Sequence, residues 1–317
     1  MKKAKGGQKR DTRIKRFEKA VYTLPILFGS MMHTDRVAKI QKFSQKKYNL
    51  KLPIDSFFGA PTNSLWNGGR PPHYTEFIVG DWTKQYYENI DAHKYLTYTN
   101  YLAGDYLDDW ISNLSLEMLS KDDGVIITDE RLYKYIRKTY PKLKTKASVV
   151  KVSKEQPHER SADYYNQLLD RYDYILFHPD DNTNLDLIAQ VKDLSRVEVL
   201  IDERCTRNCP IRDLHYNINA QRNLPVKDRD NSILEQEDNL WNNMCPREKS
   251  IFLKNGKEKL DILVNTIDEI QDLYDMGIHR FKTSGRGSAL NESVALKKFL
   301  YVAIKDEQTR NTLEYFL

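Results

Sequence analysis

The 317-residue chain is 40% apolar and 30% charged, enough to bury a large core as one big α/β domain or two smaller ones. Its net charge of +5 sits at one end: residues 1–19 hold nine Lys/Arg against Asp11 and Glu18, which leaves the remainder at −2 and excludes a uniformly basic surface. No apolar run reaches the length of a membrane span and the start lacks a signal-peptide core, so the chain reads as cytoplasmic.

In chain order, residues 1–19 read as a basic, disordered arm able to touch RNA or phosphates. From residue 20 onward, β-branched or aromatic runs alternate with amphipathic stretches. The strand-like runs are "VYTLPILFG" from 21, "LPIDSFFGA" from 52, "TEFIVG" from 75, "YLTYTN" from 95 and "GVIIT" from 124. They continue with "ASVVKV" from 147, "YDYILFHP" from 172, "VEVLID" from 197 and "HRFKTSG" from 279. Helical spacing predicts helices near 34–47, 103–119, 130–138, 160–170, 183–193, 258–276 and 290–303. Gly277 stands where a C-cap glycine belongs.

This alternation predicts a mostly parallel sheet covered by helices. About eight units fit a TIM-like (β/α)8 barrel over residues 20–317, and the missing GxGxxG removes the best sign of a nucleotide-binding doubly wound sheet. The polar stretch 217–257 reads as a loop excursion after "VEVLID". In such barrels the loops after the strands build the active site, and the unusual polar clusters here all follow strands.

"CTRNCPIRDLHY" places Cys205 and Cys209 four residues apart, and Cys245 lies in the excursion. An odd number of cysteines without an export signal argues against a disulfide framework. Thiolates suit an iron–sulfur cluster or zinc, with three plain thiols as the alternative. Three thiolates leave one metal position for substrate, His215, His178 or a carboxylate. His178, beside Pro179, is placed to be a ligand or an acid/base group, and Asp181 or Asn182 can instead cap the next helix. "WNGGR" offers Arg70 for an anion, and "KTSGRG" offers Lys282 and Arg286 before a helix. Asn100 follows a strand and joins the candidate substrate-binding set. Asp105, Asp108 and Asp109 read as a solvated helix face. No GxSxG, HExxH or P-loop occurs, which weakens serine hydrolase, zincin and NTPase readings.

"VEVLIDERCTRNCPIRDLHY" resembles the cysteine-bearing segment of the collagenase-like peptidase family of unknown mechanism, and "YDMGIHRFKTSGRG" resembles that family's late strand. "GVIITDE" and "YDYILFHPDDN" fit its barrel rhythm, so the likeness spans roughly residues 20–305. The resemblance implies a TIM-like barrel. It also implies kinship with peptidases, RNA-hydroxylation proteins and oxygen-independent ubiquinone-hydroxylation proteins, several of which carry a 4Fe–4S cluster on four cysteines. Carried over, Cys205, Cys209 and Cys245 become cluster ligands and Arg286 lines the site. This chain departs from the family in having Ser284 where the family has Glu, and no fourth cysteine, which marks a divergent member.

The leading expectation is therefore a cluster-binding barrel enzyme with redox or hydroxylation-type chemistry on a small anionic molecule or a nucleic-acid base. Arg70, Asn100, Lys282 and Arg286 would hold the substrate, and His178 or His215 would move protons. A zinc-dependent, peptidase-like hydrolase is the second reading. A non-catalytic protein whose cluster is completed by a partner subunit is the third.

Overall fold

The computed structural model describes residues 14–28, 31–61, 63–69, 92–245, 262–285 and 289–317. Eight parallel strands close a barrel: β1 (Val21–Leu24), β2 (Ile54–Gly59), β3 (His93–Tyr98), β4 (Gly124–Ile127), β5 (Lys144–Ala147), β6 (Tyr174–Leu176), β7 (Val197–Leu200) and β10 (Arg280–Lys282). The last strand pairs with both β7 and β1, with Lys282 beside Leu200 on one side and Thr23 on the other. The TIM-like (β/α)8 expectation is met. The run "TEFIVG" lies outside the described residues, and the barrel closes without it.

The outer strand faces are apolar because helices cover them. Leu24, Leu96, Tyr98, Val125, Ile127, Val197, Val199 and Phe281 belong to one large buried cluster with helix residues such as Leu132, Ile136, Ile270 and Phe299. The interior alternates with this face, as a strand period of two requires. It holds a small cluster of Phe58, Tyr95, Ile126 and Leu176, and a polar layer. In that layer Lys146 Nζ stands 2.8 Å from Glu198 Oε1, and both side chains are fully buried. Thr23 donates to the same oxygen at 2.6 Å. Burial pushes the Glu198 carboxyl up, but the Lys146 and Lys282 charges outweigh it and hold the group down at about 2.

Three expectations need correction. "ASVVKV" is not a strand: β5 is the polar "KTKA", and Ser148 caps a helix over Val149–Glu155 by accepting from the Lys151 amide. The β-branched run misled because the inward residue of this strand is an ion-paired lysine. The helix drawn over 258–276 begins only at Ile267, and Ile262–Val264 forms a strand, β9. β9 pairs antiparallel with β8 (Asp202–Thr206), which continues β7 past the barrel rim after the single residue Ile201. Third, the packed chain starts before residue 20. Residues 1–13 of the expected arm lie outside the described residues, but Ile14 and Phe17 are buried in the main cluster and Lys15 bridges Ile304. Phe17 packs on Tyr274 and Phe281, so apolar contact overrides the local basic composition.

Candidate functional site

β8 is what carries the first cysteine out of the barrel. Cys205 lies on it, just above the rim, and the chain must then reverse to begin the helix Arg212–Arg222. Asn208 makes the reversal in the left-handed region, at φ 49, where Asn is among the residues that tolerate it. Its amide donates to Asp180 Oδ1 at 3.1 Å. Arg207 donates to the Asp180 carbonyl at 3.1 Å, which fastens the turn to the loop after β6. The turn returns Cys209 toward Cys205, and both line one cavity. The neighbouring Cys209 thiol, followed by burial, pushes Cys205 up, while the Cys205 thiol holds Cys209 below the usual thiol range.

The helix Arg212–Arg222 then presents Arg212, His215, Tyr216 and Asn219 along one face, at the three- and four-residue spacings that align on a helix. The excursion beyond it folds back because Leu240 is fully buried against Ile211 and Ile218. A π-helical turn, Leu240–Met244, follows, and the Cys245 amide donates to the Leu240 carbonyl at 2.7 Å. Trp241 meets His215 edge to face at 5.0 Å. Residues 246–257 of the excursion lie outside the described residues.

These pieces enclose a cavity of about 280 Å³. Cys205, Cys209, Cys245, Arg212, His215 and Trp241 line it, together with Gly68 and Gly69 after β2, Thr99 after β3, and Ser284 and Gly285 after β10. All of these follow the C-terminal ends of strands, the face where barrels carry their sites. Gly68 has a local reason: a Cβ there would stand 2.2 Å from the Thr99 carbonyl oxygen. All three cysteines are half-buried and free. Among the described residues, no three His, Cys, Asp or Glu side chains stand in a metal-holding arrangement. What fits a soft metal is the chemistry of the donor set, three thiols and one imidazole around one cavity.

Among the described residues, Arg212 is the cation on this wall, and it is held from behind. Its Nη2 donates to Asp180 Oδ1 at 3.0 Å and to the Thr206 carbonyl at 2.9 Å. Its Nη1 lies 3.2 Å from His178 Nε2. Ser153 Oγ lies 2.9 Å from the same nitrogen, and His178 Nδ1 accepts from the Asp180 amide at 3.3 Å, so the imidazole is held from both sides. Burial, then the charges of Arg160 and Arg212, drive His178 down to about 2. A histidine that stays neutral and lies behind an arginine positions that arginine; it does not face the cavity.

The remaining expected residues divide as follows. His215 is on the wall. Asn100 is fully buried and spends its side chain on the Leu65 and Ala220 carbonyls and the Leu102 amide, tying the loop after β2 and the helix that follows the cysteine turn to the barrel. Lys282 points into the barrel, its Nζ 3.4 Å from the centre of the Phe58 ring, beside Glu198 rather than on the cavity wall. Arg70 and Arg286 lie outside the described residues. Asn184, not Asp181 or Asn182, caps the helix Leu185–Ala189, and Asp181 pairs with Arg160 at 2.7 Å. Asp109 is not on a solvated face: it is buried and caps the helix Trp110–Leu116 through the Ser112 amide. Sequence reading passed over Asp180 and Trp241, which are an aspartate in a turn and an aromatic in a polar excursion. Only the fold shows that one fixes Arg212 and the other meets His215.

No protein-family model matches the chain. No curated protein matches it either. Among solved structures the chain is similar to that of the U32 peptidase Mk0906, at 12% identity and a TM-score of 0.47, covering 83% of this chain and 91% of that one. A likeness this slight leaves the fold resting on the strand pairing itself and carries nothing about the site.

Proposed function

We propose that the cavity is a thiolate metal centre, in which Cys205, Cys209 and Cys245 hold an iron–sulfur cluster, and that the barrel serves redox, hydroxylation-type chemistry on a small anionic molecule or a nucleic-acid base. One observation carries this reading: the chain's three cysteines, from two separate segments, line a single cavity at the C-terminal mouth of a barrel. The cluster, when bound, would supply one-electron transfer and an iron position not taken by cysteine. The protein's own residues do the rest. Arg212, fixed by Asp180, His178 and Thr206, orients an anionic group. His215, braced by Trp241, is placed to give or take a proton at the wall. Asn219 offers a further hydrogen bond.

The presence of His215 on the same wall favours one second reading. Three thiols and an imidazole form a zinc donor set, and zinc would support a hydrolase. Reconstitution separates the two. The chain is incubated anaerobically with ferrous iron and sulfide, or with zinc, and desalted. The proposal expects a brown protein that retains iron and sulfide, with retention lost in Cys205→Ala, Cys209→Ala and Cys245→Ala. Retention of zinc alone, with no iron or sulfide, would replace it with the hydrolase reading.

A further inference from the structure

The helix Glu307–Glu314 borders a groove of about 810 Å³, away from the cysteine cavity. Gln308, Asn311, Thr312 and Tyr315 line it, at the three- and four-residue spacings of one helix side, with Asp306 and Glu307 at its start. Its lining is also aromatic: Phe43 packs on Phe316 at 4.7 Å between ring centres, and Tyr315 is 89% exposed. Exposed rings beside two carboxylates suit a cationic segment. The start of the described chain points at this groove. Lys15 bridges Ile304 in the antiparallel sense. The Arg16 amide donates to the Ala303 carbonyl at 2.9 Å, and the Lys305 amide donates to the Ile14 carbonyl at 2.7 Å. Antiparallel pairing fixes direction, so stepping back from Ile14 leads toward Asp306.

We propose that this groove is the docking site of the chain's own segment Lys9–Arg13, which lies outside the described residues. Length selects the segment. From Asp306 to Tyr315 the chain advances about 14 Å as helix. An extended chain at about 3.3 Å per residue covers that in about four or five residues. Counted back from Ile14, these are "KRDTR", with three cations and one anion. Charge agrees: Arg13 comes first, at the Asp306 and Glu307 end, and Lys9 and Arg10 reach the rings of Tyr315 and Phe316. Exposed ion pairs are individually weak, but this segment is tethered. The pairing of Ile14–Arg16 with 303–305 holds its end at the groove, an effective concentration on the order of millimolar. The docking is independent of the metal centre.

Hydrogen exchange on the full chain tests this. The amides of the helix Glu307–Glu314 should exchange about tenfold more slowly in the intact protein than in a variant lacking residues 2–12. Arg13→Glu and Glu307→Lys should each lose most of that protection, and the two together should regain it. A peptide of residues 1–13, added to the deletion variant, should restore protection at low salt and not at high salt. This last measurement needs neither charge variant to fold. Equal exchange with and without residues 2–12 would overturn the proposal, as would a charge swap and an added peptide that both restore nothing. Protection that falls when the protein is diluted would assign the groove to a second copy's segment, and would overturn it as well.

Discussion

At the scale of single residues, Asp180 connects the most. Its side chain and carbonyl receive Asn208, Arg207 and Arg212, so one carboxylate fixes both the cysteine turn and the cavity's cation. Asp180→Ala removes a charge-assisted bond to Arg212, and the expected loss is about 2 kcal/mol in urea unfolding. It should also reduce metal retention, because the turn carrying Cys209 loses its anchor. Unchanged stability together with unchanged retention would show that the turn holds itself. His178 makes a second prediction, about pH. Its folded pKa is depressed to about 2, while the unfolded chain binds the proton near 6.5. The unfolded state therefore binds more protons below pH 6.5, and folding stability falls as pH falls, by about 1.4 kcal/mol per unit until the folded group itself titrates. Between pH 7 and 5 this contributes about 2 kcal/mol of lost stability, which should be absent in His178→Gln. Urea titrations of both proteins at the two pH values measure it, and equal pH dependence in the two would refute the assignment. The sequence flagged His178 correctly as unusual but could not show its direction, because a strand-end histidine faces the site or its support depending on a neighbour far along the chain.

At the scale of elements, the outer strand faces were legible and the inner ones were not. "GVII" and "VEVL" announce themselves because helices cover their outer sides and the barrel interior covers the other. "KTKA" does not, because its inward lysine is matched by Glu198 two strands away. That pair predicts a double-mutant result. Lys146→Met leaves the buried Glu198 carboxylate without its ion-pair partner, with only Thr23 and the charge of Lys282 beside it, and should destabilise the chain by about 3 kcal/mol, whereas Lys146→Met with Glu198→Leu should recover part of the loss. Chemical denaturation of the four proteins decides it. A double variant as unstable as the single one would show that the pair does more than neutralise itself. The lip strands β8 and β9 were equally invisible: "DERCT" is polar, and its partner strand comes more than fifty residues later in the chain.

For the molecule as a whole, the eightfold alternation of strand and helix was readable because each unit repeats the same local physics. The closure was not, since it depends on which strand meets β1. The chain start contributes to that closure: Phe17 contacts Phe281 of β10 at a ring distance of 6.2 Å and Tyr274 at 5.1 Å. Phe17→Ala should therefore lower stability by about 3–5 kcal/mol, against the near-zero effect expected of a solvated arm, as read by thermal or urea unfolding. The site was half legible. The cysteine spacing singled out Cys205 and Cys209, but the fold had to bring Cys245 to their cavity through Leu240, and the fold alone places Arg212 on its wall. The measurement that bears most directly on this account is X-ray absorption at the metal edge of the protein isolated without oxygen. The account predicts iron with a sulfur-dominated shell and an iron neighbour, which requires the thiolates of this cavity. Iron with only oxygen and nitrogen ligands, or a chain that carries no iron at all, would contradict it.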